Sequence, residues 1–189
     1  MQHLMTLTGR KESGFFLHNH KELNELLSLT AGKGEPVILL GATFGLLDFA
    51  GRYPTDYPSL IIVETGGMKG RKREMIREEV HGILKTAFHK EEIYGEYGMT
   101  ELMSQGWSSG NGIFHLPPWM KASCYEINDP LTKVPFGKAG MLGFADLANL
   151  GSCCFILTQD IGKVYEDGSF EVLGRIDHSD IRGCSLLTL

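Results

Sequence analysis

The chain has 189 residues, 42% hydrophobic and 22% charged, enough for one ordinary domain or a little more with a buried core. Its formal net charge of -5 gives no support to nucleic-acid binding, which usually shows a basic footprint, and no apolar run reaches membrane-spanning length. The N-terminal MQHLMTLTGR lacks the charged-then-apolar order of a signal peptide, so a cytoplasmic soluble protein is the expectation.

Residues 1–18 are weakly patterned and predict no element of their own. From His20 to Leu29, apolar Leu23, Leu26 and Leu27 recur at helical spacing, with Asn19 as a candidate cap and Ala31-Gly32-Lys33-Gly34 as the stop. The run PVILLGA (36–42) is apolar throughout and bounded by turn residues, which predicts a strand buried on both faces. Thr43 is a candidate cap for a short helix over 44–50, and SLIIV (59–63) predicts a second buried strand. A helix is then expected from about Arg71 to Phe88, with Ile76, Val80, Ile83, Leu84 and Ala87 on its inner face. This alternation of strand and helix is the rhythm of a parallel sheet with crossover helices.

After His89 short segments dominate: 92–95, 112–116, 122–127, 139–146, 153–157, 162–165 and 169–173. Turn signals such as Asn128-Asp129-Pro130 and Glu166-Asp167-Gly168 punctuate them, and Thr158-Gln159-Asp160 reads as another turn. A meandering, barrel-like β-rich part is expected. The fold class is therefore α/β: a partial parallel sheet over residues 1–89, a β-rich portion over 90–174, and a tail over 175–189. Cys124, Cys153, Cys154 and Cys184 contain no CxxC pair, and they are expected to be reduced and mostly buried.

Several stretches carry candidate chemistry. Gly66-Gly67 lies between a predicted strand and a helix start, where ligands and anions collect, and Arg71, Lys72 and Arg73 sit unfavourably for the helix dipole unless something negative is near. A solvated basic turn explains the same residues. In Tyr97-Gly98-Met99-Thr100-Glu101, a hydroxyl and a carboxylate on successive residues can bind a phosphate oxygen and a divalent cation, and the tyrosine ring can stack on a purine. A surface turn with a buried tyrosine is the plainer reading. Asp160 offers a carboxylate for ribose hydroxyls and Arg175 a guanidinium for ribose or phosphate, although Arg175 and Asp177 suit a local ion pair equally well.

In this order, the Gly-Gly loop, YGMTE, TQD and GRIDHSDIRG resemble the later core motifs of the adenylate-forming (AMP-forming) ligase superfamily, across about residues 60 to 185. The resemblance implies an adenine and carboxylate pocket at Gly66 and Gly67, a phosphate-binding Thr100 and an Mg²⁺-binding Glu101. It further implies Tyr97 beside the nucleotide, Asp160 on the ribose, and Arg175 on the ribose at a hinge, with ATP and Mg²⁺ as cosubstrate and metal. The ending Arg182-Gly183-Cys184, with Thr65-Gly66-Gly67 and Pro117-Pro118-Trp119, is similar to the acyl-protein synthetase (LuxE-type) branch. That branch carries an acyl group as a thioester on a cysteine near its C-terminus and supplies a fatty acid reductase in bacterial bioluminescence. Cys184 matches that position. A thiolate is the best nucleophile present for an acyl adenylate, and Arg182 and His178 lie close in sequence to favour it; a buried structural thiol is the alternative.

No Ser/Thr/Gly-rich phosphate loop ending in Lys stands upstream, so the chain is expected to correspond to a C-terminal portion with a missing N-terminal half as a possible partner. The acyl tail is expected near Phe44, Leu46 and Met68. The competing expectations are a phenylacetate-type acyl- or aryl-CoA ligase fragment, and a non-catalytic nucleotide- or acyl-binding remnant that needs a partner chain.

Overall fold

A computed structural model describes residues 2–66 and 75–176. The chain divides into two compact units, one running to Tyr94 and the other from Gly95 onward.

The first unit opens with a short helix α1 (Gln2–Thr8), in a stretch whose sequence shows no clear pattern, and continues with α2 (His20–Ala31). Asn19 precedes α2 without capping it: its side-chain amide donates to Glu22, and its carbonyl accepts from the Leu23 N–H. Strands β1 (Val37–Ala42) and β2 (Leu60–Thr65) pair in parallel, from Val37 opposite Leu60 to Ala42 opposite Thr65. Helix α3 (Thr43–Arg52) links them, and α4 (Arg77–Phe88) follows β2. The expected parallel strand–helix order is borne out.

Several details differ from expectation. β1 is not buried on both faces: none of its residues is fully buried, and Ile38, like Ile61 on β2, is exposed, because only one face of each strand packs on the core. Ala42 rather than Thr43 precedes α3, and the Thr43 hydroxyl turns instead to the Glu64 carboxylate and the Gly66 carbonyl (2.8 Å). On α4 the buried stripe is Val80, His81, Leu84 and Phe88, whereas Ile76 and Ile83 face solvent. Ile76 stands before the first helical residue, so it is not bound to the helical stripe. The core packs Phe49 against Phe88 (ring centroids 5.8 Å apart) with Leu27, Leu46, Ile62, Leu84 and Ile93 around them. Each such side chain contributes about 1.5–3 kcal/mol by leaving water.

The second unit is β-rich. Strand β3 (Tyr94–Tyr97) pairs antiparallel with β4 (Gly106–Ser108), an element without a sequence signal. Strands β5 (Ile113–Phe114), β6 (Met120–Tyr125), β7 (Ala139–Asp146), β8 (Phe155–Val164) and β9 (Phe170–Arg175) form an antiparallel half-barrel in the order β5-β9-β8-β7-β6. The two short strands expected over 153–157 and 162–165 are one long strand, so Thr158-Gln159-Asp160 is extended and not a turn. A register shift between Ile161 and Gly162 lets β8 stay paired with β9 through the irregularity. Only glycine fits at 162, because an added Cβ would lie 2.2 Å from the Glu171 carbonyl oxygen. The core of this unit centres on Phe114, Phe144 and Phe170, all buried.

Candidate functional site

Alternation along β3 leaves Tyr97 half-buried at its end. Its ring lies against Phe170 (5.3 Å), Phe144 (5.4 Å) and Phe114 (6.0 Å), so much of the ring is committed to the core. The hydroxyl points outward and donates to Asp160 Oδ2 at 2.7 Å. Burial, followed by the Asp160 carboxylate that accepts its proton, pushes the phenol far above the ordinary tyrosine range; the positive charge of Arg175 opposes this only weakly. Tyr97 is thus a fixed neutral donor.

Asp160 sits on β8 directly opposite Arg175 on β9, and the Arg175 Nε stands 3.8 Å from Asp160 Oδ1. The pair is long and the arginine mostly exposed, so it contributes little to stability and leaves the guanidinium available to an anion. The Asp160 N–H is tied to Thr158 Oγ1, whose own hydroxyl donates to the Leu142 carbonyl, so the strand twist that aims the carboxylate is fixed from β7. Three of the residues singled out in the sequence therefore meet: Tyr97, Asp160 and Arg175.

Thr100 and Glu101 occupy the turn after β3, with both side chains exposed and without a hydrogen bond or ion pair among the described residues. Tyr97 precedes Thr100 by three residues, so at most about 11 Å of chain separates the two Cα atoms. The turn backbone, by contrast, is held closely. Asp146, fully buried, accepts from the Met103 N–H (2.9 Å), the Ser104 N–H (2.8 Å), the Ser104 hydroxyl (2.8 Å) and the Ala148 N–H (3.1 Å). Burial alone would raise its pKa, but these donors outweigh it and hold the carboxyl below the usual range. Asn149 donates to the Glu101 carbonyl (2.8 Å) and the Cys153 carbonyl (2.9 Å), and the Trp119 indole donates to Ser104 Oγ (2.9 Å).

Sequence reasoning passed over Asp146, Asn149 and Ser104. A signal was present: Leu142, Phe144 and Asp146 share one phase of an alternating strand, and an acid in a core phase has to be paired.

Gly66 follows β2 in the other unit with φ +73°, a conformation open to glycine, and its carbonyl accepts from Thr43. Gly67, Met68 and the Arg71–Arg73 cluster lie outside the described residues, as do Asp177, His178, Arg182 and Cys184. Leu46, expected beside an acyl tail, is packed into the first core, where its side chain fills the space a Cβ on Gly41 would take. Cys124 is buried, which pushes its thiol pKa up, but Cys153 is exposed, contrary to the expectation of mostly buried thiols.

Among the described residues no group of three or more His, Cys, Asp or Glu side chains could hold a metal ion. One exposed carboxylate beside a hydroxyl fits Mg²⁺ arriving with a nucleotide, since Mg²⁺ is commonly bound by one or two carboxylates plus substrate phosphates. No helix of the described residues is long and apolar enough to cross a membrane.

No protein-family profile matches the chain. It is 27% identical over 137 residues to a long-chain-fatty-acid–luciferin-component ligase of Vibrio harveyi, covering 67% of this chain and 36% of that protein. The corresponding ligase of Aliivibrio fischeri is 25% identical, with 66% and 36% covered. Among solved structures, ATP-bound MatB from Rhodopseudomonas palustris superposes with a TM-score of 0.60 at 15% identity over 82% of this chain and 33% of that one. O-succinylbenzoate coenzyme A synthetase (MenE) of Bacillus subtilis, in complex with ATP and magnesium, gives 0.54 at 15% identity over 80% and 34%. The chain thus has the fold of the later part of adenylate-forming ligases and spans about a third of the length of the relatives it matches. The resemblance read from its motifs holds in both comparisons.

Proposed function

We propose that this chain is the nucleotide-handling part of an AMP-forming acid–thiol ligase that activates a fatty acid and passes it to a cysteine thiol. The observation that carries this reading is the exposed Thr100–Glu101 turn three residues from Tyr97, whose hydroxyl fixes the Asp160–Arg175 pair, within a fold shared with ATP-bound ligases.

Asp160, oriented by Tyr97, accepts from the ribose hydroxyls, and Arg175 lies beside the ribose or phosphates. Thr100 donates to a phosphate oxygen, and Glu101 holds Mg²⁺. Bound Mg²⁺ neutralises charge on the phosphates. In the first step a carboxylate oxygen of the fatty acid attacks the α-phosphorus of ATP, and the bond to the bridging oxygen breaks to release pyrophosphate. Thr100 and Arg175 beside the phosphates stabilise the charge that develops there. In the second step the Cys184 thiolate attacks the acyl carbon, and the acyl–phosphate C–O bond breaks to release AMP. The acyl group then passes to a partner such as a fatty acid reductase.

Intact mass tests this. The protein is incubated with Mg-ATP and a medium-chain fatty acid, beside Cys184→Ser. The expected result is a gain of one acyl group, removed by neutral hydroxylamine and missing from the variant. No gain refutes self-acylation by this chain. Because the chain covers 36% of its curated relatives, nucleotide binding without acylation would favour a part that works with a partner polypeptide.

A further inference from the structure

Every residue from Glu101 to Ser104 is anchored, yet the Thr100 and Glu101 side chains are left exposed. The Glu101 carbonyl is held by Asn149, and the Leu102 side chain is buried in the second core. Met103 and Ser104 present their N–H groups to Asp146 Oδ2, while the Ser104 hydroxyl donates to Oδ1 and accepts from Trp119. Asp146 and Asn149 lie at the two ends of one short 3-10 segment, Leu147–Asn149, and that segment is pinned in turn: the Asp146 N–H donates to the Cys154 carbonyl at 2.8 Å.

A fully buried carboxylate is an expensive way to hold a loop. Apolar residues of similar volume commonly serve stability as well or better, whereas charge-assisted hydrogen bonds fix direction and distance. Here the donors converge on the backbone directly after the hydroxyl–carboxylate pair and on the carbonyl of Glu101 itself. A merely structural carboxylate has no reason to select this segment.

We infer that Asp146 and Asn149 are positioning residues, which fix the backbone of the Thr100–Glu101 turn so that the two exposed side chains engage a metal–triphosphate together. This rests on the functional reading above. Glu101 has a flexible side chain on a rigid base. Loosening the base leaves the carboxylate present but spreads it over many positions, so the metal-dependent part of nucleotide affinity suffers while contacts at Asp160 and Arg175 persist.

The test uses the full chain and the variants Asp146→Asn, Asn149→Leu and Ser104→Ala. Asp146→Asn keeps the volume but points an amide at existing donors; should it fail to fold, Asn149→Leu and Ser104→Ala decide the matter. ATP affinity is measured by calorimetry with Mg²⁺ and with EDTA, and amide hydrogen exchange is followed over residues 101–104. The expected result is that exchange in this segment rises at least about tenfold in Asn149→Leu while the strands keep their protection. The gain in ATP affinity given by Mg²⁺ should fall by about tenfold, with metal-free affinity within about twofold of wild type. Unchanged exchange overturns the inference, and so does faster exchange with an intact Mg²⁺ gain; both leave the functional reading standing. Wild-type protein that binds no nucleotide overturns both.

Discussion

Phe170 is the hub of the second unit, and its removal tests whether that unit's core is correctly understood. The side chain is fully buried, and its ring meets Tyr97, Phe114 and Phe144, each with centroids 5.3 Å away. Truncation to alanine removes the transfer free energy of the ring and leaves a cavity, together worth about 3–5 kcal/mol. Replacement by leucine restores most of the apolar volume but not the aromatic contacts, each of which adds about 0.5–1.5 kcal/mol beyond area. Phe170→Leu should therefore lose about 1–2 kcal/mol, since such pairs do not add fully. The assay is urea unfolding followed by tryptophan emission. Both tryptophans of the chain, Trp107 and Trp119, belong to this unit, so the signal reports it without interference from the other. With an m-value of about 2 kcal/mol/M, the alanine midpoint should drop by about 1.5–2.5 M and the leucine midpoint by about 0.5–1 M. An alanine shift under about 0.5 M, or equal shifts for the two variants, would show that Phe170 is not the hub described.

Two further outcomes follow from the same unit. Tyr97→Phe deletes the donor to Asp160 and should destabilise the unit by about 1–3 kcal/mol near neutral pH. The phenol pKa is raised in the folded state, so its contribution is complete below about pH 10, where the unfolded tyrosine begins to ionise, and is lost as pH rises further. Urea midpoints of the two proteins should therefore converge above about pH 10, and a gap that widens there contradicts the sign. Gly162→Ala places a methyl against the Glu171 carbonyl and the Leu142 side chain, at 2.2 Å and 2.7 Å, on a strand held from both sides. A loss of about 1–3 kcal/mol is expected, visible as a melting point lower by at least about 4 °C; a change within about 1 °C would mean that the β8–β9 register is wrong.

Where one physical signal dominated, the sequence was readable. The apolar runs at 37–42 and 60–65 had to be strands, although not buried on both faces, and helical spacing placed Leu23, Leu27, Val80 and Leu84 in a core. The site was partly legible because YGMTE, TQD and GRID are compact motifs, and Tyr97, Asp160 and Arg175 do meet. What stayed hidden was decided by partners far along the chain. Thr43 has the composition of a helix cap, but a buried carboxylate and a carbonyl on the neighbouring strand claimed its hydroxyl. Gln159 and Asp160 look like turn formers, yet the Asp160–Arg175 pairing and the bond from the Ile176 N–H to the Gln159 carbonyl hold them in an extended strand. β4 is too short to show alternation, and the role of Asp146 was hidden because its partners, Met103 and Ser104, lie 43 and 42 positions earlier in the chain.

The span of the bonds that build the site bears on how the protein is made. Tyr97 and Asp160 are 63 positions apart, Glu101 and Asn149 are 48 apart, and Ser104 and Asp146 are 42 apart. At about 5–20 residues per second, the ribosome delivers Asp160 about 3–13 s after Tyr97. Until Asp146 has been made, 42 positions after Ser104, the Ser104 and Met103 amides have no acceptor in place, and of the three phenylalanines around Tyr97 the last, Phe170, follows Asp160. Closing such long loops is slow, and the enthalpy that rewards it comes only at the end. The backbone after Thr100 thus gains its anchors only once β7 and the Leu147–Asn149 segment have been synthesised, about 2–10 s after the turn itself.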